Sequence, residues 1–139
     1  MSQVDQTHYD VYVAFGRKQF LCDPVHSLII MSHPGAERCI RLHCEGWPGY
    51  WKPAIESNKR FQSWWIESKD LVAQIPASAG PIVEQEARAI PAQSSGLWAS
   101  YLLLRLEKKG LIPEGIYEHW RDQLHIPATD EDVGHSSCF

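Results

Sequence analysis

Long apolar runs are missing from this chain: no stretch approaches the roughly 18 residues that a membrane-spanning helix requires. An excess of positive charge is missing as well. Thirteen Lys and Arg stand against seventeen Asp and Glu, a formal charge of −4. Neutralising nucleic-acid phosphates takes a basic face, and none is evident, so a general nucleic-acid binder is excluded. Cysteine is sparse and irregularly spaced (Cys22, Cys39, Cys44, Cys138), which reads as reduced thiols inside a cell rather than a disulfide framework. Met1 to Asp10 is polar and acidic, without the pattern of a signal or transit peptide, and Cys138 stands too late for a prenylation box. These absences lead to the expectation of a soluble, cytoplasmic protein.

What is present is one ordinary core's worth of apolar residues, 44% of 139, with six tryptophans among them. The expected organisation is a single α+β domain over 1–126, followed by an acidic, small-residue-rich flexible tail over 127–139. Tyr9 to Phe15 alternates and is rich in β-formers, so it reads as a strand. His26 to Met31 and Arg38 to Cys44 read as two more, joined through a Pro34-Gly35 turn signal into a hairpin. If facing residue numbers in that hairpin sum to 69, His26 stands directly across from His43. A one-residue slip would send them to opposite faces. Gly16 to Pro24 and the aromatic stretch Gly46 to Pro53 read as loops, and Phe61 to Ile66 as a further strand.

Helices follow. Pro81 to Ile90 opens on a favourable first-turn proline and is stopped by Pro91. The main helix begins at Ser94 or Ser95, carries a wide apolar face through Leu97, Trp98, Tyr101, Leu102 and Leu104 to Leu106, and ends near Lys109-Gly110. Pro113 to Leu124 repeats the helical pattern. The fold class expected is therefore α+β, a small antiparallel sheet packed against helices.

The order of strand with His26, strand with His43, then a helix opened by a nucleophile resembles the circularly permuted papain-like fold of the lecithin:retinol acyltransferase and NlpC-like enzymes. The segments that carry the likeness are His26-Ser27-Leu28-Ile29-Ile30-Met31, Arg41-Leu42-His43-Cys44 and Gln93-Ser94-Ser95-Gly96-Leu97-Trp98. The chain is also similar to a group of small fungal proteins over roughly residues 9 to 124, in Asp10 to Arg17, Ile55 to Phe61 and Glu107 to Pro113; those proteins often carry Cys at the place of Ser95. The resemblance implies a papain-like arrangement with His26, His43 and the residue at 95 as its working groups. Two positions depart from it: Ser95 replaces the thiol, and Ser27 replaces the tryptophan that often follows the first histidine.

A serine hydroxyl stays protonated at neutral pH and needs a general base within about 2.6 to 3.2 Å. His26 is the candidate base, with His43 orienting it, and unpaired N–H groups near Ser95 and Gly96 are the candidate oxyanion donors. That is a small-molecule acyltransferase or hydrolase. The plain alternative for Ser95 is a helix cap. A second enzymatic reading needs no nucleophile: His26 and His43 would move protons on a bound molecule, as a cyclase or isomerase of fungal secondary metabolism does. A third is a catalytically inactive binding protein. Trp47, Trp51, Trp64, Trp98 and Tyr101 are the candidate lining of a small-molecule pocket. Cys22-x-x-x-His26 and Cys39-x-x-x-His43 suggest zinc, but on an extended strand residues four apart lie about 13 Å from each other. No metal and no cofactor are assigned.

Overall fold

Backbone donors of five consecutive segments find their acceptors in one antiparallel sheet. In the computed structural model, which describes residues 4–18 and 25–125, the strands are β1 (His8–Gly16), β2 (Ser27–Ser32), β3 (Arg38–Glu45), β4 (Lys52–Arg60) and β5 (Ile66–Pro76). They lie in the order β4-β3-β2-β1-β5. A single 3₁₀ turn, Ala77–Ala79, leads into α1 (Gly80–Arg88), then α2 (Ser95–Lys108), and a third helix, α3, covers 116–125. The expected α+β class is thus what is found. No helix among the described residues is long and apolar enough to cross a membrane.

Strand alternation divides the interior into two cores. Val11, Val13, Ile29, Met31, Leu42 and Cys44 face the helices and meet Val83, Ala87, Trp98, Leu102, Leu106 and Leu124. Each fully buried Leu or Ile there contributes about 1.5 to 3 kcal/mol. Ala14, Leu28, Ile30, Cys39 and Ile66 face the other way and form a smaller core closed by Tyr12 and Phe61. Sheet curl explains how Phe61 comes to lie there. Only residues 61–65 join β4 to β5, which are opposite edges of the sheet. Four flat strand spacings amount to about 19 Å, close to the roughly 20 Å that such a linker spans when fully extended. The linker contains turns rather than extended chain, so the sheet must coil to bring its edges together.

Several expectations need correction. Phe61 to Ile66 is not a strand: 61–65 is the linker, and Ile66 opens β5. Its tryptophans, Trp64 and Trp65, are exposed, so high β-propensity there reflected residue type and not ladder pairing. The aromatic loop ends sooner than expected, because Lys52 and Pro53 belong to β4, an edge strand where proline is tolerated. His26 stands just ahead of β2 instead of opening it. The hairpin register sums to 71, with Ile29 facing Leu42 and Met31 facing Ile40. The residues of the expected tail, and most of the loop before Pro24, lie outside the described residues, as do Cys22 and Cys138.

Candidate functional site

The register differs by two residues from the one that would set His26 directly across from His43, an even number, so it preserves which face each side chain takes. His26 and His43 become diagonal neighbours on the face of Leu28 and Cys39. Their rings meet edge to face, with Nε2 of His26 2.7 Å from Nδ1 of His43. A third member of the site comes from β4. Between Cys39 and Arg41 the β3–β4 pairing slips by one residue, so that Arg41 faces Glu56 and His43 faces Ala54. Asn58 takes up the slip with a left-handed φ of 59°, a conformation Asn tolerates better than most residues. The bulge puts Glu56 on the histidine face, with Oε1 2.9 Å from Nε2 of His43. Sequence reasoning missed Glu56, because β4 itself was not recognised.

Hydrogen-bond inventory fixes the protons in this chain of three. Glu56 is an acceptor only when ionised. Partial burial alone would raise its carboxyl; the hydrogen bond from His43 and the charges of His43, Lys59 and Arg41 outweigh that and hold it below the ordinary carboxylate value. His43 Nε2 must therefore donate to it. A neutral His43 then accepts at Nδ1, which requires His26 to donate from Nε2. Burial, and next the charge of a protonated His43, lower the His26 imidazole to about 4 against the opposing pull of Glu56. At neutral pH His26 is thus uncharged, and with a neutral His43 beside it its lone pair lies on Nδ1, the ring nitrogen nearer its own backbone.

Ser95 approaches from the helix side. It is the first residue of α2, not its cap: Ser94 holds the cap position, and neither makes a side-chain capping bond. Beyond the three ladder pairs of Ile29–Met31, β2 and β3 are no longer paired. The Ser95 hydroxyl takes the vacant edge, accepting the Ser27 N–H at 3.1 Å and donating to the Val25 carbonyl at 3.5 Å. It sits opposite His26 as a residue of a neighbouring strand would. Among the described residues, no hydrogen bond joins it to the imidazole. Ser95 is 7% exposed. The residue after it is glycine for a packing reason: a Cβ on Gly96 would fall 1.9 Å from the Leu124 carbonyl oxygen, so α2 can start here only by sliding bare backbone under the end of α3.

The aromatic residues expected to line a pocket do not converge. Trp98 has no exposed surface and belongs to the larger core, where Trp51 packs at its margin. Trp47 packs against Tyr50 at the surface, the two rings tilted. Tyr101 lines a groove of about 770 Å³ between α1 and α2, and Trp64 lines a separate cavity of about 660 Å³ with Phe15, Gly16, Arg17, Val25 and Glu67. That second cavity reaches the backbone of His26, since Gly16 N–H donates to the His26 carbonyl, but neither histidine nor Ser95 is among the residues that line it. Neither Cys39 nor Cys44 joins a group of possible metal ligands among the described residues; both are free and buried. The Cys22–His26 pair lies partly outside them.

Compared with known proteins, the chain matches no family model, no curated protein and no solved structure.

Proposed function

We propose that this protein is a small-molecule enzyme of the papain-like kind, carrying out acyl transfer or hydrolysis with Ser95 as nucleophile, His26 as general base, and His43 and Glu56 as the groups that orient that base. The observation that carries the reading is the unbroken chain from Glu56 through His43 to His26, which leaves a neutral imidazole with a free lone pair beside a buried serine at a helix start. Neutrality matters, because an imidazole already protonated at pH 7 removes no proton. Glu56 keeps the tautomer in place and stabilises the imidazolium that forms when His26 takes the hydroxyl proton. A rotation of the hydroxyl away from the Val25 carbonyl, its longer and weaker contact, would free its proton for transfer to the ring. Catalytic hydrogen bonds are often long before substrate binds. The N–H groups at the start of α2 would face the developing oxyanion.

The substrate would enter through the cavity bounded by Trp64, Phe15 and Val25, which suits a small molecule with an apolar or flat acyl part.

One observation favours a second reading. Ser95 bonds the main chain on both sides of His26 and not the ring, which is the arrangement of a residue that positions a base. In that case His26 works alone, as in a cyclase or isomerase. Turnover of activated short-chain esters separates the two. The first reading expects Ser95→Ala and His26→Ala both to abolish turnover; retention of turnover in Ser95→Ala with loss in His26→Ala would replace it with the second.

A further inference from the structure

His43 and Glu45 stand two apart on β3 and so share a face, and Glu56 reaches the same spot from β4. One ring nitrogen of His43 and one carboxylate oxygen from each glutamate all lie within 4.8 Å of one another, and Nε2 is the nitrogen turned to Glu56. This is more than a group of exposed acids. His43 is 5% exposed and is held on its far side by His26 at 2.7 Å. A metal-ligating histidine is characteristically held through its second nitrogen by an outer partner to which it donates, and His26 is placed to accept that bond once the tautomers exchange. The two glutamates bring like charges together, and Glu45 makes no ion pair among the described residues. Bonds of about 2.0 to 2.2 Å in a tetrahedral site put donors roughly 3.3 Å apart. Glu45 is the exposed member of the three and the one freest to close the present spacing to that value.

We propose that His43, Glu45 and Glu56 form a site for a divalent borderline cation of the zinc and cobalt class, with a fourth position open to solvent. One imidazole and two carboxylates suit such ions, and no thiolate is needed.

Binding there opposes the base described above, a consequence that rests on that reading. The ion takes the lone pair of His43 Nε2, so the proton of that ring moves to Nδ1. His43 then donates to His26 Nε2, and His26 must carry its own proton on Nδ1. Each ring holds one proton before and after, yet His26 no longer has the free Nδ1 lone pair that the base requires.

The test is titration of the purified chain with cobalt(II), followed by visible absorption, and with zinc by calorimetry. Wild type should bind one ion per chain, and Glu45→Gln should weaken binding at least about tenfold, as should Glu56→Gln. Glu45 is exposed, so its variant is expected to keep the fold, which far-ultraviolet circular dichroism checks. Equal affinity in wild type and Glu45→Gln, or only weak binding without a defined stoichiometry, overturns the site. Because binding is read without turnover, failure of the serine chemistry leaves this result intact. The coupling has its own readout: long-range ¹H–¹⁵N spectra of the zinc-bound chain should show the His26 proton on Nδ1, and a proton remaining on Nε2 overturns the opposition.

Discussion

Nε2 of His43 stands 2.9 Å from Oε1 of Glu56, and with a neutral His43 that one contact decides where the protons of two imidazoles lie. An anion that can only accept forces the first ring to donate, and each ring passes the requirement on. Glu56→Gln should therefore act at a distance. A glutamine can offer either its oxygen or its NH₂ group, so the tautomer of His43 is no longer fixed. Ester turnover should fall on the order of 10²-fold, while stability changes by about 1 kcal/mol, the scale of one partly exposed hydrogen bond. The ¹⁵N shifts of His26 in the same variant check the cause, since they should change from a single tautomer to a mixture.

Acid should destabilise the fold before the carboxylates in general titrate. The folded His26 has its pKa near 4, below the 6.5 of an unperturbed histidine. Between those values the unfolded chain binds the extra proton, so stability rises with pH across that window and is lost as pH falls through it. The full effect is about 3 kcal/mol. Glu56, whose carboxyl is held below its ordinary value, loses stability in the same direction further down. Urea unfolding at pH 7.5, 6, 5 and 4.5 measures the slope, and His26→Gln should flatten its upper part.

Gly96→Ala decides between local and tertiary effects by its sign. In an isolated helix, alanine is favoured over glycine by about 1 kcal/mol. Here the new methyl would meet the Leu124 carbonyl at 1.9 Å. Displacing the end of α3 should win, at a cost of about 2 kcal/mol or more, within the range of overpacked cores. Chemical denaturation reads it, and a stabilised variant would contradict the packing described.

Ser95→Ala should cost stability as well as activity. Removing the hydroxyl leaves the Ser27 N–H without its partner in a buried place, a loss of about 1 to 3 kcal/mol. A serine that served only as an exposed nucleophile would cost nothing on removal. Denaturation of this variant is the control that any activity comparison at position 95 requires.

Much of the fold is legible in the residues, and the parts that are not share a physical cause. β1, β2 and β3 are central or nearly so, bury both faces, and announce themselves through Val, Ile and Leu. β4 and β5 are the sheet edges, where Lys52 to Arg60 and Glu67 to Asp70 are largely polar. Edge strands are kept polar against unwanted pairing, which erases the signal that would reveal them. The exposed Trp64 and Trp65 misled in the opposite direction. The histidine pair survives the difference between a register sum of 69 and the observed 71 because that difference is even. Glu56 was out of reach, since its approach to His43 depends on an unrecognised strand and a bulge at Asn58. Ser95 was found at the right helix start, but its bonds to residues 25 and 27 are tertiary and leave no local trace.

Labelling by a fluorophosphonate, followed by intact mass and peptide mapping, tests the central claim most directly. The account predicts a single adduct on Ser95, formed at least about 10²-fold more slowly in His26→Gln and slowed also in Glu56→Gln. An unlabelled Ser95, or labelling at the same rate after His26 is replaced, would contradict it.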